Sequence, residues 1–210
     1  MLLSILFLML TLKDGTKAVQ FARQVITEYV QGKRSITVDL GCVFQEKHGV
    51  FVTLHTYPEH DLRGCIGIPL PVLPLQEAII ESAQSATQDP RFPPLQESEL
   101  NGILVEMTVL TKPEQIKVKQ PKEYLTNIKI GHDGLIVEHG FYKGLLLPQV
   151  PVEQDWDVEE YLSQTCMKAG LPADAWFENT TKISKFQGQI FTEVKPHGQI
   201  QETHLDGLHC

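Results

Sequence analysis

The densest group of chemically capable residues in the chain is Asp61-Leu62-Arg63-Gly64-Cys65-Ile66-Gly67. Two glycines bracket a cysteine, so the backbone can turn tightly there or approach a ligand closely. A guanidinium two residues from a thiol can lower its pKa and favour the thiolate, which is the reactive form. His55 and His60 stand close by in sequence as bases. Cys65 is therefore a candidate nucleophile with Arg63 as its activator. The same residues also fit a structural role, with Cys65 a small buried side chain in a short strand and Arg63 in an ion pair.

The remaining candidates separate by context. His55, His60 and Cys65 share an even H-x4-H-x4-C spacing, but zinc sites usually place two ligands in a tight pair. No metal and no cofactor is expected. His132 and His139 read as turn residues, and Cys166 falls on an apolar helical stripe, which predicts a packed thiol. Trp156 and Trp176 flank that helix as aromatic anchors. The four cysteines are far apart with no CxxC pair, the usage of a reducing compartment. The sequence has no Walker A loop, GxGxxG, HExxH, GxSxG or zinc-ribbon pattern.

These residues need elements to hold them. Thr11 and Asp14 have capping-box spacing, and Ala18, Ala22, Val25, Ile26, Tyr29 and Val30 recur with helical period up to Gly32. Cys42–Phe44 and Val50–His55 read as two strands of a hairpin, with a third short strand at Cys65–Ile68. Leu73 to Gln88 is helical and is stopped by Asp89-Pro90. Three prolines stiffen the loop 89–94, so Arg91 and Phe92 are held in place. Ile103 to Leu110 reads as a strand covered on both sides. Lys122 to Asn127 suits a short helix, followed by short strands at Ile128–Ile130, Leu135–Glu138 and Gly144–Leu147. Asp157 with Glu160 makes a second capping box, opening an amphipathic helix closed by Gly170 and Pro172, and Phe186 to Val194 reads as a last strand. Strands without regular βαβ alternation point to an α+β fold with a mixed or mostly antiparallel sheet flanked by helices.

The 210 residues suffice for one domain or two small lobes, with a core that needs no disulfide or metal. Hydrophobic residues make up 42% and charged residues 21%, ordinary values for a globular protein. Eighteen basic against twenty-six acidic residues, net charge −8, argue against broad phosphate-driven binding and hence against duplex DNA. Residues 1–10 are an apolar extension too short to cross a bilayer and without signal-peptide features, and Met9 is an alternative start. The chain is expected in the cytoplasm, with no membrane partner. Residues 196–210 lack periodicity and are expected to be a loose polar tail outside the 11–195 domain.

The stretches LRGCIG (62–67), DPRFPPL (89–95) and GLLLPQV (144–150), with Glu153, Trp156, Cys166 and Lys168-Ala169-Gly170-Leu171, resemble the hallmarks of the AMMECR domain family. Its archaeal and bacterial members carry the description AmmeMemoRadiSam system protein A. The resemblance covers about residues 10 to 195. It implies a two-lobed α+β fold, a larger lobe holding both termini and a smaller inserted one, with the RGCIG segment near a cleft between them. It also implies partners in a modification pathway shared with Memo-like and radical SAM proteins. With the resemblance added, Arg63, Gly64, Gly67 and Arg91 read as an anion site for a nucleotide, RNA or phospho-metabolite. Glu106, Gln149 and Glu153 join it as ligand-facing groups, the glutamates as acid/base groups where buried. Arg91 paired with Glu106 or Asp89 is the structural alternative. Three function classes stay open: an accessory binding component, an enzyme using Cys65, and a protein-interaction scaffold.

Overall fold

A computed structural model describes residues 10–33, 38 and 40–203. The chain folds as two compact units. The first runs to Thr111 and resumes at Gln189; the second spans Lys112–Gly188. The mixed α+β class expected from the sequence is the one observed, with a five-stranded and a four-stranded sheet.

In the first unit, α1 (Leu12–Val30) starts at a complete capping box. The Asp14 N–H donates to Thr11 Oγ1 and the Asp14 carboxylate accepts the Thr11 N–H. Such caps contribute about 1 kcal/mol. Gly32, at φ 67°, follows the helix end where a left-handed residue is needed. The sheet has the order β2–β1–β3–β8–β9, with β1 Gly49–Thr56, β2 Leu62–Ile68, β3 Ile103–Leu110, β8 Gly188–Glu193 and β9 Ile200–Thr203. Strand β1 pairs antiparallel with both β2 and β3. Its Val50, Val52 and Leu54 are fully buried in a cluster with the apolar stripes of α1 and of α2 (Leu75–Ala86). Period-two alternation sends Phe51, Thr53 and His55 to the other face. A buried ion pair anchors α1 to the sheet: Arg23 meets the Glu193 carboxylate and donates to the carbonyls of Leu100 and Ile103.

In the second unit, β4 (Glu114–Gln115), β7 (Lys182–Phe186), β5 (Gly134–His139) and β6 (Tyr142–Leu146) form a sheet in that order, every pairing antiparallel. Helix α5 (Val158–Lys168) buries Tyr161, Leu162, Thr165 and Cys166 against it. Asp157 caps α5 through the Glu160 N–H at 2.8 Å. Gly144 is required by close packing, since a Cβ there would sit 2.5 Å from the Ala169 nitrogen. Two short helices, α3 (Tyr124–Asn127) and α4 (Gln149–Glu153), complete the unit.

Several expectations are corrected. Cys42–Gln45 is a 3₁₀ turn entered from Gly41 at φ 105°, so the hairpin partner of β1 is β2, the strand that holds Cys65. Three apolar-leaning residues are too few to set a strand period, and burying Phe44 alone anchors the turn. Residues 128–130 are not a strand. The expected strand Phe186 to Val194 contains β8, while Phe186 itself ends β7, an unexpected strand of the other sheet. The expected loose tail contains β9, which pairs with β8 and places Ile200 in the core. Leu10, assigned to the apolar extension, is buried with its N–H on Gln189 Oε1 at 2.8 Å. The expectations for residues 1–9 and for the tail from 204 to 210 lie outside the described residues.

Candidate functional site

Strand register builds the site. Thr53 of β1 stands opposite Cys65 of β2 on one side and Glu106 of β3 on the other, so the three share a row across one face. The backbone N–H and C=O of Cys65 both point away from β1, because Asp89 and Arg91 hold them. That makes Thr53–Cys65 a non-hydrogen-bonded pair, the kind that brings side chains closest. The Thr53 hydroxyl accordingly reaches Cys65 Sγ at 3.3 Å.

Strand β2 is a sheet edge, and a salt bridge stands where a further strand would pair. Asp89 Oδ2 accepts the Cys65 N–H at 2.8 Å, and Arg91 Nη2 donates to the Cys65 carbonyl at 3.2 Å. Arg91 grips the same carboxylate twice, Nε to Oδ1 at 3.0 Å and Nη2 to Oδ2 at 2.6 Å. Asp89 is almost wholly buried, while the Arg91 side chain is 55% exposed. The Arg91 guanidinium holds the Asp89 carboxyl well below the usual carboxylate range, and the two N–H donors of Cys65 and Arg91 add to this.

Arg63 does not serve Cys65. Its Nε and Nη2 clasp Glu99 at 2.8 and 3.1 Å, and Nη2 also donates to the Pro93 carbonyl at 3.0 Å. This pairing lowers the Glu99 pKa. A β-bulge between Leu54 and His55 leaves Arg63 without a cross-strand partner, so it departs from the row of Cys65. Burial pushes the Cys65 thiol up; Thr53 and Arg91 oppose that, and Asp89 and Glu106 reinforce it. The expected Arg63-activated thiolate is thus replaced by a half-buried thiol under a hydroxyl, with Arg91 as its nearby cation. Phe92 joins the two arginines, its ring centroid 5.9 Å from Arg63 Cζ and 5.6 Å from Arg91 Cζ.

The glycines answer to packing. A Cβ on Gly64 would lie 2.3 Å from the Ala86 carbonyl oxygen at the end of α2, and one on Gly67 would meet Val50 O and the Phe51 ring. Along β1, His55 Nε2 lies 3.9 Å from Glu106 Oε1, a charge contact rather than a hydrogen bond. The Glu106 carboxylate nevertheless raises the His55 pKa against the opposing effect of burial. Glu106 therefore pairs with His55, and Arg91 takes Asp89, the second of the two partners weighed for it. Glu99 is the site residue that sequence reasoning missed. It lies 36 positions from Arg63 in an exposed acidic stretch, and no local spacing marks it.

Gln149 and Glu153 belong to the second unit, on α4, where Gln149 is half-buried and Glu153 exposed. The His55, His60 and Cys65 trio is not gathered, since His55 Nδ1 faces the His60 carbonyl at 3.3 Å. Among the described residues no group of three or more His, Cys, Asp or Glu can hold a metal ion. None of the described helices is long and apolar enough to cross a membrane. Cys166 is fully buried and its thiol is pushed up to about 11, as its place on the stripe predicts.

Comparison with known proteins gives one consistent result. The AMMECR1 family model matches residues 19–191. Protein MJ0810 of Methanocaldococcus jannaschii is 58% identical over 198 residues, covering 94% of this chain and 98% of its own length. Protein MK0488 of Methanopyrus kandleri is 48% identical, covering 93% and 96%. The crystal structure of uncharacterized protein PH0010 from Pyrococcus horikoshii superposes with a TM-score of 0.81 at 48% identity, over 91% of this chain and 97% of that one. The chain belongs to the AMMECR1 family.

Proposed function

We propose that the chain is a non-catalytic binding component, working beside Memo-like and radical SAM proteins of one modification pathway. Its ligand is an anionic small molecule or RNA segment met at the DPRF loop. The single observation that carries this reading is the bidentate use of both arginines. Each guanidinium gives Nε and Nη2 to a carboxylate, and Nη1 of each makes no hydrogen bond to a described residue. What the ion pairs leave is donors, not net charge. Recognition at this place therefore rests on fixed donor geometry, which planar guanidinium forks supply and a lysine does not.

The thiol supports the same choice. A nucleophile needs a lowered pKa or an adjacent base, and Cys65 has its pKa raised by burial with a threonine hydroxyl as its partner. Glu106 stands two strands away, which is roughly 9–10 Å at normal strand spacing.

Calorimetry tests the reading. A panel of nucleotides, short RNAs and phosphorylated metabolites is titrated into the native chain and into Arg91→Lys, which keeps the charge beside Asp89 and loses the fork. Binding that weakens in a folded Arg91→Lys protein supports the site. Equal binding by both, or no binding across the panel, contradicts it.

A further inference from the structure

We propose that the second unit carries a phosphate-binding pocket of its own, unrelated to the arginine site, that takes a phosphomonoester with a ring-sized body. Its cations are Lys117, Lys119 and Lys182, and Tyr124 and Trp176 supply its apolar lining. The cavity has a volume of about 280 Å³, close to the lower end of the range of about 300–1,000 Å³ typical of small-molecule sites.

The backbone explains why the lysines converge. Ile116 N–H donates to the Ile183 carbonyl at 2.8 Å, which carries the β4–β7 register one residue past Gln115. The same register sets Lys117 opposite Lys182. Along the extended stretch, Ile116 and Val118 pack into the core while Lys117 and Lys119 are exposed on the alternate side. Like charges facing each other across neighbouring strands destabilise the pairing. None of these three ammonium groups has an ion pair or side-chain hydrogen bond among the described residues.

Counter-charge in the lining is scarce. Glu178 is its one carboxylate; it is 55% exposed and lies 3.6 Å from His139 Nδ1. Glu123, just outside, has one oxygen on the Lys119 backbone N–H at 3.0 Å. Glu138 stands opposite Lys182 in the β5–β7 register but is engaged by Lys143, so within the lining three cations face one carboxylate, in a chain of net charge −8. The ligand that relieves the repulsion carries at least two negative charges in a small volume, as a phosphomonoester does. Tyr124 and Trp176 then receive its ring or apolar body, and the amide of Asn179 offers a further hydrogen bond from the lining.

The probes are phenyl phosphate, inorganic phosphate and phenol, measured by calorimetry at low ionic strength on the full chain. Phenyl phosphate is expected to bind more tightly than inorganic phosphate, and phenol not at all. The triple variant Lys117→Gln, Lys119→Gln, Lys182→Gln should weaken phenyl phosphate about tenfold or more, and the corresponding triple Arg variant should restore it. Arg91→Lys should leave it unchanged, which separates this pocket from the arginine site. Melting curves report folding; if the Gln triple does not fold, Lys117→Gln alone must weaken binding. Undiminished binding by the folded Gln variants overturns the proposal, as does the absence of phenyl phosphate binding at millimolar concentration.

Discussion

The carboxylate of Asp89 accepts the backbone N–H of Cys65 at 2.8 Å across 24 residues of chain. Through that bond the two most distinctive sequence stretches, LRGCIG and DPRFPPL, become one structure. The loop supplies an acceptor and, through Arg91, a donor to an edge strand that has no neighbour on that side. This protects the edge and fixes where the Arg91 fork stands.

Asp89 should accordingly be a determinant of acid stability. Its folded pKa is depressed, so its contribution is present above the unfolded value of about 3.9 and is lost as pH falls toward the folded value. Asp89→Asn should lower stability at neutral pH by about 1–3 kcal/mol, through bonds left unmade or weakened. In urea melts from pH 7 to pH 3, the difference between native and variant should shrink below pH 4. A constant difference would show that the carboxylate charge is irrelevant.

Gly64→Ala should destabilise by about 1–3 kcal/mol, the usual cost of overpacking, because its new methyl meets the Ala86 carbonyl of a helix end. Gly102→Ala is the control, with nothing within 4 Å of its added Cβ. At about 2–4 °C per kcal/mol for a chain of this size, thermal melts should separate the two. Equal melting temperatures would return Gly64 to the role of a ligand-approach glycine.

His55 titrates high because of Glu106. The stabilisation from this pair is fully present below the unfolded histidine value of about 6.5 and is lost as pH rises through the folded value. NMR titration of the imidazole should show its pKa falling in Glu106→Gln. An unchanged value would mean that another group sets it.

The helices were legible in the sequence because their signals are local. Thr11, Asp14 and Gly32 mark α1, and Asp157 and Gly170 mark α5. Strand β3 was legible because eight apolar-rich residues suffice to show two-sided burial. The partner of β1 was not, since Cys42-Val43-Phe44 and Cys65-Ile66-Gly67-Ile68 are both short apolar runs and only pairing decides between them. Strand β9 was hidden because one buried residue, Ile200, carries it. At the site, Arg91–Asp89 was within reach of sequence reasoning at a separation of two residues. Arg63–Glu99 was not, because its separation of 36 is bridged only by the folded sheet and the 3₁₀ turn that holds Glu99.

The central claim is that this site positions donors around a protonated thiol and does not use that thiol as a nucleophile. The most direct measurement is the pH–rate profile for iodoacetamide at each cysteine, resolved by peptide mass mapping on the native protein. Exposed Cys42 should react first, half-buried Cys65 more slowly and buried Cys166 only on unfolding. The Cys65 midpoint should lie above the free-thiol value of about 8.5, and Thr53→Val, which removes the hydroxyl partner, should move it higher still. A Cys65 that outpaces Cys42 at neutral pH, with a midpoint below the free-thiol value, would contradict the account and make the thiol the functional group.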